Sequence, residues 1–281
     1  VTADGIFYVD AAYQHAYHLA FDGSLQILDF LNPEGGTFSG VMLPSPDGRK
    51  IALGAVLSFD AEGARIQLKV VHRDGTGERI LLDEIVEEER PIRPTPIKWS
   101  SDGQHLYYMH VIEGVEGFGG TDLYRIEIAT GEEEMLFPDL NCLCSTAVSP
   151  DETKAVRFMQ HGTPVLVIKD LLTGEEQFVS FPGQYLQAWD ILWAPDSSAL
   201  AVTLGLGNWE ADRYSLVRVN LADLSQTFLI TKDPRLLRGA LWSVMDTIWL
   251  NDSDGNLWRM VSDGSGLTLT ASEAWIIPPS E

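Results

Sequence analysis

Cysteine is nearly absent from this sequence, with Cys142 and Cys144 the only two in 281 residues. A disulfide-stapled scaffold is thereby excluded. One residue apart, the two thiols would leave a strand on the same side, and a bridge over so short a span is strained. A pair of buried thiols opening an inner strand is the expected reading. Long apolar runs are missing too: none approaches the roughly 18 residues that a membrane-spanning helix needs. Basic residues are scarce, 19 against 41 acidic ones, for a net charge of −22 at pH 7. Such a field repels nucleic-acid backbones, which are held by lysine and arginine on phosphate, and it disfavours anionic membrane surfaces. What remains open is a solvated acidic surface or an acidic docking face for cations or a basic partner.

Catalytic signatures are also lacking. There is no Gly-x-Ser-x-Gly elbow, no His-Glu-x-x-His and no Gly-x-x-x-x-Gly-Lys phosphate loop. No catalytic residue and no cofactor is implied. Aspartate is plentiful, but most copies sit in turn contexts, where the side chain bonds its own backbone.

The abundant feature is a repeated turn followed by an apolar strand. Its best copy is Pro44-Ser45-Pro46-Asp47-Gly48-Arg49-Lys50, which leads into Ile51-Ala52-Leu53-Gly54-Ala55-Val56. Asp-Gly is a strong turn signal because glycine reaches positive φ without a Cβ clash. Further copies are Ser100-Ser101-Asp102-Gly103, Ser149-Pro150-Asp151, Ala194-Pro195-Asp196 and Trp242-Ser243. Taking Asp4, Asp47, Asp102, Asp151, Asp196 and Asp246 as markers, the intervals are 43, 55, 49, 45 and 50 residues. A period in this range, carried by short strands and turns, is the signature of a propeller.

Each period parses further into a second alternating segment, such as Asp122–Ala129 or Val165–Leu172, and a last short strand such as Glu134-Met135-Leu136 or Thr227–Ile230. The expectation is an all-β, six-bladed propeller of four-stranded antiparallel blades, a single domain over 1–281. The first unit has almost nothing before Asp4-Gly5, whereas the last has a spare strand at about 273–277. Placing that strand inside the first blade would close the ring and cover two edges. Strand pattern begins almost at Val1, so a leader, a tether or an upstream domain is expected ahead of it. The segment 83–94 is expected to be a long loop between blades, since its two prolines exclude central strand pairing.

The Ser-Pro-Asp-Gly turn with its following strand resembles the WD40-like (PD40) repeat of the TolB propeller family. Related repeats form the propellers of prolyl oligopeptidase and dipeptidyl peptidase IV-type enzymes. The resemblance covers nearly the whole chain and implies fold rather than activity, because the motif is turn chemistry and packing. It also implies an extracytoplasmic location, periplasmic or cell-surface. These 281 residues do not include the α/β domain that TolB carries ahead of its propeller.

By analogy of fold, ligands are expected where loops join blades and where loops join second to third strands. The glycine-rich loops 113–121 and 205–213 carry Phe118 and Trp209, which would either project to a ligand or fold over a neighbouring blade. Phe118, Tyr185, Trp189 and Trp209 are candidates for apolar contacts, and Arg213, Arg235 and Arg238 for pairing with anions. His15, His110 and His161 fall near these loops. Histidine clusters hold metal in oligogalacturonate lyases, which share related propellers. These three come from different blades with no adjacent carboxylate pattern, so no metal site is expected. Asn251–Asn256 has the look of a calcium loop, but its glycine is misplaced and the closing glutamate is missing; a hairpin turn is expected.

The reading is a non-catalytic, extracytoplasmic propeller that binds a peptide or protein segment at its channel mouth, with no nucleic acid and no membrane insertion. It is either monomeric or a domain of a larger chain. The alternatives are the gating propeller of a larger serine peptidase and a metal-dependent carbohydrate lyase.

Overall fold

The computed structural model describes residues 2, 4–9, 15–31, 41–60, 63–86, 92–112, 120–138, 145–159, 165–206 and 213–272. These residues form six antiparallel sheets in which each strand pairs with its neighbour in sequence. The first holds β1 (Gly5–Val9), β2 (Ala16–Ala20) and β3 (Leu25–Ile27). The second holds β4 (Val41–Pro44), β5 (Lys50–Asp60), β6 (Gly63–His72) and β7 (Arg79–Val86). The third holds β8 (Ile92–Trp99), β9 (His105–Ile112), β10 (Gly120–Glu127) and β11 (Glu133–Phe137). The fourth runs from β12 (Thr146–Val148) through β13 (Lys154–Met159) and β14 (Val165–Asp170) to β15 (Glu176–Ser180). The fifth is β16 (Gln187–Trp193), β17 (Ala199–Gly205), β18 (Tyr214–Asn220) and β19 (Gln226–Asp233). The sixth is β20 (Arg238–Ser243), β21 (Thr247–Asn251), β22 (Leu257–Val261) and β23 (Thr268–Ala271). The fold is a six-bladed β-propeller of meandering blades. The first blade has three strands among the described residues, and the closing strand expected at 273–277 lies outside them.

By proximity of backbone the chain divides into two compact units, one of residues 1–116 and 121–140 and one essentially of 141–279. The first carries blades one to three and the second blades four to six. Within each unit, apolar side chains alternate inward and pack blade on blade. Leu43, Leu68 and Val70 of the second blade meet Trp99, Leu106 and Ile126 of the third. In the other unit, Phe158, Leu166 and Ile168 of the fourth meet Trp193, Leu200 and Val217 of the fifth.

The repeated turn works as a hydrogen-bonded clip. The buried Ser45 hydroxyl donates to Asp47 Oδ1 at 2.7 Å and accepts the Lys50 amide at 2.9 Å, while the Arg49 amide donates to Asp47 Oδ1 at 3.1 Å. Ser100 with Asp102 and Ser149 with Asp151 repeat the arrangement. The residue after the aspartate is left-handed in each, at φ 69° for Gly48, 67° for Gly103 and 62° for Glu152. The sixth copy differs from the sequence expectation. Asp246, taken as its marker, occupies the left-handed position itself (φ 56°), and the turn closes one residue sooner through the Ser243–Thr247 pair.

These turn carboxylates set an acid limit. The Ser45, Ser100 and Ser198 hydroxyls hold Asp47, Asp102 and Asp196 below the usual carboxylate range. A carboxylate whose folded pKa lies below its unfolded value stabilises the fold at pH above the unfolded value. That contribution disappears as pH falls through the folded one. The urea midpoint is therefore expected to drop below about pH 4; a midpoint still rising at pH 3 would contradict the assignment.

The segment 83–94 corrects the expectation of a long loop. β7 extends to Val86 and β8 starts at Ile92, so both of its ends lie in strands. Pro94 and Pro96 are tolerated because β8 is the edge strand of its sheet and one side needs no amide donors. Trp99, at the end of β8, donates its indole N–H to the Leu43 carbonyl at 3.0 Å, bolting the third blade to the second. The equivalent indoles of Trp193 and Trp242 are buried with no acceptor among the described residues. Trp99→Phe should therefore cost about 1–2 kcal/mol more than Trp193→Phe, because only the former strands a carbonyl. Equal losses in urea unfolding would show that the Trp99 bond contributes nothing.

Candidate functional site

Most loops proposed as a recognition surface fall outside the described residues, Phe118, Trp209, His161, Cys142 and Cys144 among them. The connections of the second unit that are described in full include the one joining blades five and six and the hairpin between β21 and β22. They bring Trp189, Arg235 and Arg238 into one neighbourhood.

Trp189 and Arg238 belong to strands, not to loops as the sequence suggested. A bulge explains how they reach the surface. Ala188 pairs with Leu204 and Ile191 with Val202, so Trp189 and Asp190 face the single residue Thr203. Extra residues of this kind re-aim side chains at strand ends. A second bulge between Gly239 and Leu241 does the same for the start of β20, and the Gly239 amide is fixed to the Thr203 hydroxyl at 3.0 Å.

On this frame Arg238 forms a fork with Asp190: Nε to Oδ2 at 3.0 Å and Nη2 to Oδ1 at 2.6 Å. Asp190 is only 6% exposed. The same guanidinium lies 5.5 Å from the centre of the Trp189 ring, which in turn packs on Tyr214 at 6.0 Å. Three positions earlier the pattern recurs. Arg235 forks onto Asp233 at 2.8 and 2.6 Å and lies 4.5 Å over the ring of Trp258. The Arg235 guanidinium holds Asp233 well below the usual carboxylate range.

Trp258 is anchored from its other side. Its indole donates to Asp252 Oδ2 at 2.8 Å, and the same carboxylate accepts the Asn256 amide at 2.8 Å, the Asn256 side chain at 2.9 Å and the Asp254 amide at 2.9 Å. The segment Asn251–Asn256 is thus a hairpin organised by one saturated aspartate.

The other candidates are placed differently. Tyr185 is fully buried among Phe158, Phe181 and Val217, and its hydroxyl meets Ser215 Oγ at 3.0 Å, so it supports the core instead of a surface. Arg213 stands exposed at the head of β18. Arg235 and Arg238 carry no uncompensated charge, because each is already forked to an aspartate. They present planar, immobilised guanidiniums over aromatic rings rather than open anion sites. His15 is exposed and 3.4 Å from Asp29, and His110 sits against Tyr108 and Tyr124, where burial holds it below the ordinary histidine range and therefore neutral. No group of three or more potential metal ligands forms among the described residues.

Sequence reasoning missed Asp190, Asp233 and Trp258, and it placed Asp252 in the Asn251–Asn256 hairpin turn without seeing that it anchors Trp258. Asp233 and Arg235 are two apart around a proline, a spacing that could have signalled a turn-borne ion pair. Asp190, beside Trp189 in a segment read as a loop between blades, and Trp258, in a segment that reads as plain strand, carried no such signal.

No known protein family matches the sequence, and no curated protein does either. Solved structures do match in fold. TolB from Acinetobacter baumannii aligns over 99% of this chain and 65% of its own, with TM-score 0.58 and 13% identity. A prolyl endopeptidase aligns over 98% of this chain and 44% of its own, with TM-score 0.65 and 14% identity. An oligogalacturonate lyase in complex with manganese aligns over 83% and 61%, with TM-score 0.52 and 14% identity. The chain therefore spans less than two thirds of each of these proteins, and the likeness is one of propeller fold.

Proposed function

We propose that this protein is a non-catalytic, extracytoplasmic binding propeller that recognises a peptide or protein segment through the Arg–Trp surface of its second unit. One observation carries the reading: Trp189 and Trp258 are each half-buried beneath an arginine that a carboxylate fork holds still. Tryptophan and arginine dominate binding hot spots because they bury large areas. Groups fixed before binding lose little further freedom when a partner arrives. No helix among the described residues is long and apolar enough to cross a membrane. Phe118 and Trp209, which lie outside the described residues, are kept as sequence candidates for apolar contacts, and Trp209→Ala is expected to abolish partner binding while the protein stays folded.

The test is selection of peptides from a random display library, followed by hydrogen exchange on the complex. The reading expects amides of Asp233–Arg238 and Asn251–Asn256 to gain protection. Protection confined to other segments would overturn it. A second reading, a propeller that gates a larger peptidase, is favoured by the prolyl endopeptidase alignment, which covers 44% of that enzyme. The intact mass of the native protein separates the two. A mass near 31.1 kDa leaves binding as the function, and a mass larger by a domain assigns activity to the additional part.

A further inference from the structure

The first unit contains a pocket of about 610 Å³ at the end of its sheets that carries the short hairpins. It is lined by Asp4, ahead of β1; by Phe21, Asp22, Leu25 and Gln26, in and after the β2–β3 hairpin; and by Arg73, just beyond β6. This volume lies within the range of small-ligand sites, roughly 300–1,000 Å³.

The floor is a closed polar set. Asp4 accepts from Arg73 Nη1 through Oδ2 and from the Thr2 hydroxyl at 2.9 Å through Oδ1. His18, 3% exposed, lies 3.4 Å from Arg73 Nη1 and 3.5 Å from Asp4 Oδ1. The Arg73 charge is thus compensated inside the protein. The wall is different. Asp22 Oδ1 accepts the Ser24 amide at 2.9 Å and the Ser24 side chain lies beside the same carboxylate, but no lysine or arginine is paired with it among the described residues. Gln26 donates to the Arg73 carbonyl at 3.2 Å and leaves its own side-chain oxygen without a partner among the described residues. Phe21 and Leu25, 65% and 55% exposed, supply apolar surface beside these acceptors.

We propose that this pocket is a recognition site for a basic side chain, the ammonium or guanidinium of a lysine or arginine on a partner polypeptide. The cation meets Asp22 and the Gln26 oxygen, its alkyl stem lies on Leu25, and the Phe21 ring face attracts its charge. Charge complementarity supports this occupant over an anion: with Arg73 balanced by Asp4, Asp22 leaves the pocket net negative, inside a chain of net charge −22. The hairpin that presents Phe21 and Asp22 is held by the Gly23 amide on the Ala20 carbonyl at 2.9 Å and the Phe21 amide on the Asp4 carbonyl at 3.0 Å. The site is therefore formed before a ligand enters.

The probe is N-acetylargininamide (argininamide below), titrated into the whole protein and followed by chemical-shift changes, with neutral N-acetylcitrullinamide (citrullinamide below) and anionic N-acetyl-leucine as comparisons. Argininamide should bind at one site and shift Phe21–Gln26, and neither comparison should do so. Asp22→Asn keeps the Ser24 bond yet should weaken binding about tenfold, the loss of one charge-assisted hydrogen bond. Phe21→Ala, at an exposed position, should weaken it as well. Asp223→Asn, an exposed turn carboxylate of the other unit, should leave it unchanged. The proposal is overturned if argininamide and citrullinamide behave alike, if N-acetyl-leucine binds instead, or if Asp223→Asn weakens binding as much as Asp22→Asn.

Discussion

Gly54→Ala is expected to destabilise the protein by about 3 kcal/mol or more, the upper end of what overpacking costs. Gly54 lies buried in the middle of β5, paired with Val41 on one side and Leu68 on the other. A Cβ added there would stand 1.6 Å from the Pro94 carbonyl oxygen and 3.1 Å from the Pro96 ring. The obstacle is backbone of the third blade's edge strand, so no rotamer change can relieve it, and the second and third blades would have to separate. Gly183→Ala is the control, since an added Cβ there meets nothing within 4 Å. Its effect should stay within about 0.5 kcal/mol. A urea midpoint for Gly54→Ala close to that of the parent would mean that β5 and β8 do not approach in this way.

Asp190→Ala should cost about 3–5 kcal/mol, because it strands the Arg238 guanidinium among Trp189 and the bulged strand with its bidentate partner removed. Arg238→Met should be comparably harmful, leaving Asp190, 6% exposed, as a buried charge without its fork. The double variant Asp190→Leu with Arg238→Met removes both charges and is expected to recover most of the loss. Non-additivity of that size is the mark of a coupled pair. If Asp190→Ala costs less than about 1 kcal/mol, the fork is a surface pair and the site has no rigid frame.

The architecture was open to sequence reasoning because its signals are local. Ser45-Pro46-Asp47-Gly48 names a turn by its own chemistry, and period-2 alternation names the strands that follow. The copies therefore count the blades without knowledge of any contact between them. Proline misled at 83–94 because the residue type says only that an amide donor is missing. It does not say that β8 lies at a sheet edge, where none is required. Asp246 misled for a related reason: aspartate is good both as a turn acceptor and in the left-handed region, so its presence does not fix its position in the turn.

The candidate site was legible only in part. Trp189, Arg235 and Arg238 stood out as aromatic and cationic residues between blades, and they do lie together. Their meaning changed with Asp190 and Asp233, which convert two expected anion-pairing arginines into fixed platforms. No spacing rule reveals this, since Asp190 and Arg238 are 48 residues apart and meet through a bulge. Tyr185 was equally opaque: a tyrosine between blades fits an open face or a core position bonded to Ser215.

The central claim, recognition through the Arg–Trp surface, is tested most directly by the dissociation constant of one selected peptide for the parent and for Trp189→Ala, measured side by side. Circular dichroism and the urea midpoint establish that the variant is folded, and Arg235→Ala, at a half-buried position, serves as a second probe. The account predicts at least about a tenfold loss for both, as expected for hot-spot truncation. Unchanged affinity in both folded variants would contradict it and place recognition elsewhere on the chain.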